Sequence, residues 1–175
     1  MATARSPISA ALLAAALIAS AAPATTPAPT RIAIFDFELE DYSAGVAADA
    51  PATADAAELA QVTGEVRQLL SQSGRYQPVD IGAPDAPAAK AHTLHECNGC
   101  DAGIARKLGA TQSLVGVVRR ISRTEYMVRL QVRDADTGAV VADANTGLRM
   151  GTLDSWTRGT KRLVEDQLLD GQEGR

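Results

Sequence analysis

Aromatic side chains are scarce in this 175-residue chain, at 3% of the total. A buried core must therefore be built from Val, Ile, Leu and Ala, with few large anchors. Cysteine is scarcer still, with Cys97 and Cys100 the only two. An excess of basic residues is absent. The formal net charge is −4, which argues against nucleic acid and anionic membrane surfaces as partners. No apolar run after residue 24 is long enough to cross a bilayer, so no transmembrane segment is expected in the mature chain. No Gly-x-Ser-x-Gly elbow, phosphate loop or dinucleotide fingerprint occurs. Acyl transfer, nucleotide hydrolysis and nicotinamide chemistry thus have no signature, and neither an enzyme activity nor a cofactor is expected.

What is present begins with an export signal. Residues 1–24 read as a secretory signal peptide. Arg5 supplies the positive start, Ile8 to Ala19 the short apolar stretch, and Ala19-Ser20-Ala21 or Ala22-Pro23-Ala24 the cleavage site. No cysteine lies near the cut, which argues against a lipoprotein anchor. Cleavage removes Arg5 and no acid, leaving the mature chain slightly more acidic. A periplasmic or secreted location follows. Residues 25–30, rich in Pro, Ala and Thr, read as a flexible tether. Residues 31–170 are long enough for a single domain, and 171–175 form a tail.

Hydrophobic spacing orders the elements. Arg31 to Phe37 reads as a strand apolar on both faces, as a central parallel strand is. Glu38 to Thr53, without periodicity, reads as a long loop. Leu59, Val62, Val66, Leu69 and Leu70 make one helical stripe within Asp55 to Ser73, and Asp55 and Glu58 resemble a capping box. Tyr76 to Ile81 is a short strand. Asp101 is placed to cap a short helix closed by Gly109. Three strands follow, at Ser113 to Ile121, Glu125 to Arg133 and Ala139 to Leu148. The second of them alternates, with Tyr126, Val128, Leu130 and Val132 inward. A last helix runs from about Asp154 to Leu169. The order β-α-β-α-β-β-β-α implies an α/β fold. It has one mixed sheet of about five strands, helices packed on it, and an antiparallel meander at the end.

The cysteines carry the strongest signal. An exported chain meets an oxidising compartment, so Cys97 and Cys100 are expected as a disulfide closing Cys97-Asn98-Gly99-Cys100. Asn98 and Gly99 both tolerate the positive φ of a tight turn. The first reading is a structural clamp. The alternative is a thiol-redox pair, since a helix N-terminus lowers the pKa of an adjacent thiol. A broken, Pro-containing stretch precedes the pair where thioredoxin-like motifs have a strand. Haem attachment fails because Asp101, not His, follows the second Cys. A Cys2His2 metal set with His92 and His95 needs reduced thiols and matches no finger spacing, so no metal is expected.

Two further clusters invite a bland reading. Asp36, Glu38, Glu40 and Asp41 lack the ligand loop of a calcium site and read as a solvated acidic loop. Asp36, between two phenylalanines, is the exception and is expected to bond a neighbouring group. Arg119, Arg120, Arg123, Arg129 and Arg133 surround one hairpin. They suit either an anionic partner or, more simply, the wet face of a sheet.

Several motifs together resemble a family of predicted secreted bacterial proteins with no assigned function. They are Ile32-Ala33-Ile34-Phe35-Asp36-Phe37, Cys97-x-x-Cys100-Asp101, Ala105-x-x-Leu108-Gly109-Ala110, Val132-x-Asp134-x-x-Thr137-Gly138, and Arg149 to Trp156. In the last of these the family reads Arg-Gly-Asn-Thr-Asp-Glu-Ser-Trp, and this chain matches at Arg149, Thr152, Ser155 and Trp156. The element order is more distantly similar to the amino-terminal domain of TolB and the periplasmic domains of CsgG and of the penicillin-binding-protein activator LpoB. That resemblance implies a partner-binding module of the envelope, with another envelope protein as partner.

With the first, second, third and fifth strands parallel, their carboxyl ends share one edge of the sheet, where ligands of open α/β sheets gather. Asp36, Glu38, Cys97, Cys100, Arg120, Arg123, Arg149, Asp154 and Trp156 are therefore expected on one rim, as an interaction surface. The competing reading makes Trp156 part of the core. The sequence leaves the oligomeric state open.

Overall fold

Residues 27–43, 53–82, 93–149 and 155–171 are described by the structure, a computed structural model. The expected signal peptide, His92 and Asp154 lie outside the described residues. Six strands form one mixed sheet. They are β1 (Thr30–Ile34), β2 (Glu38–Asp41), β3 (Tyr76–Pro78), β4 (Gln112–Arg120), β5 (Glu125–Asp134) and β6 (Val140–Arg149). The helices are α1 (Thr53–Gln72), α2 (Cys100–Lys107) and α3 (Ser155–Val164), the last widening into a π-type segment over Glu165–Asp170.

Across the sheet the order is β3-β1-β4-β5-β6, with β2 also paired to β4. β1 runs parallel to β3 and to β4, while β4, β5 and β6 form an antiparallel meander. The α/β class, the mixed sheet and the shared direction of β1, β3, β4 and β6 are as the chain order anticipates. The strand count is corrected by one. Glu38 to Asp41, read as the start of a loop, is a strand lying parallel to Val117–Arg120. β1 and β2 thus follow one another along β4, broken at 35–37. At the break the Phe37 amide donates to Thr63 Oγ1 of α1 (3.0 Å), so the lost ladder bond is replaced.

Period-two alternation sends the strands' side chains to two cores. On one face Ile32, Ile34, Leu114, Val118, Val128 and Leu130 are buried. They meet the α1 stripe Leu59, Val62, Val66 and Leu70, and Trp156, Leu163 and Leu168 from the C-terminal helix. On the other face Ala33, Phe35, Val115 and Val117 pack against Leu94, Ile104 and Ala105. Gly116 lies on the α1 face under the Phe37 ring. A Cβ there would stand 2.3 Å from the ring, so the scarce aromatic fits only over glycine. Because α2 is only eight residues long, the α2 face is left without a helix over β5 and β6.

Candidate functional site

The cysteine turn is the first component. Cys97 and Cys100 are disulfide-bonded, with Cα atoms 5.6 Å apart. Asn98 and Gly99 take φ of 50° and 109°, the left-handed backbone that so short a ring requires. Both cysteines pack against the α2-face core beside Leu94 and Ile104. The capping role given to Asp101 is corrected. The cap position is Gly99, without a side-chain bond, because the ring starts the helix at Cys100. Asp101 turns inward instead. It is buried, accepts from Ser113 Oγ at 2.5 Å and faces Arg133 Nε at 3.6 Å.

The acids after β1 are not a solvated loop. Glu38 Oε1 accepts the Leu94 amide at 2.7 Å, and its Oε2 accepts the His95 amide at 3.0 Å and the His95 ring. His95 Nε2 lies 2.8 Å from Glu40 Oε1, an ion-pair distance without hydrogen-bond alignment. Glu40 also accepts from Arg119 Nε. Burial pushes the Glu38 carboxyl up, but the His95 ring and the two amides outweigh it and hold it below its usual value. The bond to Glu38 in turn raises the His95 pKa, with burial opposing and Glu40 reinforcing. Glu38 therefore ties β2 to the cysteine turn.

On the opposite face Arg120 is a hub. It donates to Asp41 (2.6 Å), Asp55 (2.5 Å) and the Tyr126 hydroxyl (3.0 Å). Its guanidinium also stacks over the rings of Tyr126 and Trp156, at 5.4 and 5.8 Å. Burial works against the charge, but Asp55, Asp41 and Tyr126 outweigh it and raise the Arg120 pKa further. Asp55 is thus spent on Arg120 rather than on a capping box.

The nine residues expected on one rim are placed separately. Arg120 and Trp156 come together on the α1 face, with Trp156 buried in the core. Register puts Arg120 opposite Tyr126, and Tyr126 opposite Leu148 next to Arg149, so Arg120 and Arg149 do end at one edge. Arg123 is exposed in the intervening turn. Glu38 is opposite Val117, three residues short of that edge, and joins the cysteine turn on the α2 face. Asp36 instead accepts from Arg67 of α1 at 2.9 Å, fulfilling its expected bond to a neighbour. The strand alternation explains the split, since residues 117 and 120 project to opposite faces.

The remaining arginines pair on the open half of the α2 face. Arg129 donates to Asp143, with Nε at 2.9 Å from Oδ1. Arg133 donates to Gly138 O and Gln131 Oε1. Sequence reading missed Asp55, Thr63, His95 and Asp143 as partners in these networks. The only available signal was the coincidence of acids at 38–41 with Arg119 and Arg120. Among the described residues no group of three or more His, Cys, Asp or Glu side chains is set to hold a metal ion. No helix among them is long and apolar enough to cross a membrane.

This arrangement defines an LpoB-like α/β domain. The LpoB C-terminal domain of Salmonella enterica superposes with a TM-score of 0.51 at 14% identity, covering 72% of this chain and 87% of that one. The Escherichia coli LpoB C-terminal domain gives 0.51 at 14% identity, over 76% and 90%. Lipoprotein GNA1162 of Neisseria meningitidis gives 0.52 at 14% identity, over 83% and 98%. At such identity the likeness is one of fold. No curated protein matches the chain in sequence. The DUF3280 family model, described as "Protein of unknown function (DUF2380)", matches residues 30–168, and the chain belongs to that family. The resemblance drawn from the motifs is the one these comparisons return.

Proposed function

We propose that the chain is an exported accessory module of the bacterial envelope that acts by binding another envelope protein rather than by catalysis. The observation that carries this reading is the saturation of its conspicuous polar groups. Glu38, Arg120 and Asp101 are each engaged by partners from distant parts of the chain. Such networks hold a scaffold in shape, whereas a catalytic group needs a lone pair or proton held ready for substrate. The closed Cys97–Cys100 bridge suits an oxidising compartment. A fold shared with an envelope lipoprotein agrees with it.

Fractionation with intact-mass analysis and in-cell photocrosslinking tests the proposal. The expected result is an oxidised chain in the periplasm, starting near Ala22 or Thr25, that gives a discrete adduct with an envelope protein. Full-length chain in the cytosol, or no adduct from any exposed position, overturns it. The thiol-redox alternative is separated by the reduction potential. A clamp lies below about −300 mV, and a working oxidant or isomerase lies well above.

A further inference from the structure

We propose that the open edge of β6 and the flank of α3 cradle an extended acidic segment of a partner protein, which joins the sheet as an added strand. This rests on the reading of the chain as a binding module and gives that module a surface and a ligand class. β6 ends the sheet, and among the described residues no strand pairs with its outer side. Its outward amides and carbonyls are therefore available to another chain. A register shift opposite Val132 and Arg133 disturbs only its start, where Val140 and Val141 are 45% and 44% exposed. From Ala142 to Arg149 the pairing with β5 is regular, which presents about 27 Å of ladder at ~3.4 Å per residue.

Beside that edge runs a groove of about 490 Å³. One wall is Asn145–Arg149 and the other is the side of the C-terminal helix that carries Arg158, Arg162 and Asp166. At ~3.4 Å per strand residue and ~1.5 Å per helical residue, both walls run for about 12–14 Å, enough to seat roughly four or five residues of an extended chain. Its charge selects the occupant. Arg149, Arg158 and Arg162 face one acid, Asp166. Arg162 and Asp166 form an exposed pair at 3.9 Å on one helix, which neutralises little. Elsewhere the arginines Arg120 and Arg129 are bonded to carboxylates from other elements at 2.5–2.9 Å. The groove is thus a cationic strip along a hydrogen-bonding edge, which fits a strand bearing Asp and Glu. A second copy of β6 fits it poorly. Its one acid, Asp143, is held by Arg129, and it would bring another Arg149 against the same strip.

The probe is the acetylated, amidated peptide Ser-Asp-Val-Glu-Val-Glu-Ile-Asp, with a control carrying Lys at every acid. Anisotropy of the labelled peptide and amide exchange of the oxidised chain are measured together. The acidic peptide is expected to bind at least tenfold more tightly than the Lys control and to protect amides within Ala142–Arg149. Arg158→Gln with Arg162→Gln should weaken it at least tenfold while leaving the urea midpoint unchanged. Milder single substitutions, Arg158→Lys and Arg162→Lys, should retain binding. Protection confined to β3 or to the Arg129 face, unchanged binding by the Gln variant, no binding at millimolar peptide, or a peptide-free dimer with β6 protected each overturns the proposal. The crosslinking experiment keeps the two readings apart. If the native chain and the Gln variant capture the same partner, the module stands and this surface falls. If the native chain captures none, the module falls and the peptide measurements alone decide the surface.

Discussion

Arg120→Met removes the cation shared by Asp41 and Asp55 while keeping an unbranched apolar stem over Tyr126 and Trp156. Two carboxylates then face each other across a partly covered site. Taking one partner from a fully buried ion pair costs about 3–5 kcal/mol. The side chains of Arg120, Asp41 and Asp55 are 17%, 17% and 19% exposed, so water screens part of the loss. Lost stacking on two rings adds a few tenths of a kcal/mol. The expected destabilisation is therefore about 2–3 kcal/mol, or roughly 5–10 °C in Tm for a domain of this size. Trp156, the single tryptophan, is 4% exposed and reports unfolding in urea by its emission. Because Arg120 touches the indole face, folded-state emission will also shift, and the midpoint and slope carry the result. Adding Asp41→Asn and Asp55→Asn to Arg120→Met should recover about half of the loss by removing the uncompensated charge. A loss below about 0.5 kcal/mol, or a triple variant no better than the single one, refutes the hub as a structural device.

Cys97→Ser with Cys100→Ser should lower stability by about 2 kcal/mol, as expected for so small a ring, and leave the domain folded by circular dichroism. Collapse to an unfolded chain would give the bridge a larger role. Gly116→Ala should cost about 1–3 kcal/mol against the Phe37 ring, whereas Gly64→Ala, with open space around it in α1, should gain about 0.5–1 kcal/mol in the same urea titration. His95 binds its proton more tightly folded than unfolded, so its contribution is complete below about 6.5 and is lost as pH rises through its raised value. Glu38 acts with the opposite sign, contributing above about 4.5 and losing it as pH falls through its lowered value. The urea midpoint should therefore peak at mildly acidic pH, and His95→Gln should flatten the alkaline side.

Patterns with a fixed period were legible in the chain. The α1 stripe from Leu59 to Leu70 and the alternation from Tyr126 to Val132 depend on near neighbours, and both sets are buried as anticipated. The parallel order followed from crossover lengths. β2 was hidden because Glu38, Glu40 and Asp41 oppose strand propensity, and the compensating groups lie far away. Arg119 and Arg120 are each 79 residues from the acid they hold in β2, and His95 is 57 residues from Glu38. The shared rim dissolved for a related reason. Topology fixes which strand ends lie together, but a residue's parity along the strand fixes its face. β2 parity is set only once the break at 35–37 is known. Asp101 looked like a cap by residue type, and the left-handed Asn98-Gly99 pair moved the helix start one residue earlier.

The bridge and β2 belong to one structural argument. A strand with three acids in four residues needs anchors other than an apolar face. Glu38 finds them in two amides of the turn that leads to Cys97, and Glu40 in Arg119 and the His95 ring. That turn is covered by only one short helix on a face poor in aromatics, so burial alone contributes less to holding it. Closing Cys97 to Cys100 removes alternative conformations from this stretch and keeps the Leu94 and His95 amides where Glu38 meets them. The consequence is directional. Opening the bridge should loosen β2 before it loosens α1 or β5, because Leu39 is the one β2 side chain packed with the larger core. Amide exchange on the reduced chain reads this directly, with early loss of protection at Leu94, His95 and β2. Uniform loss across β4 and β5 would instead make the bridge a brace for the whole domain.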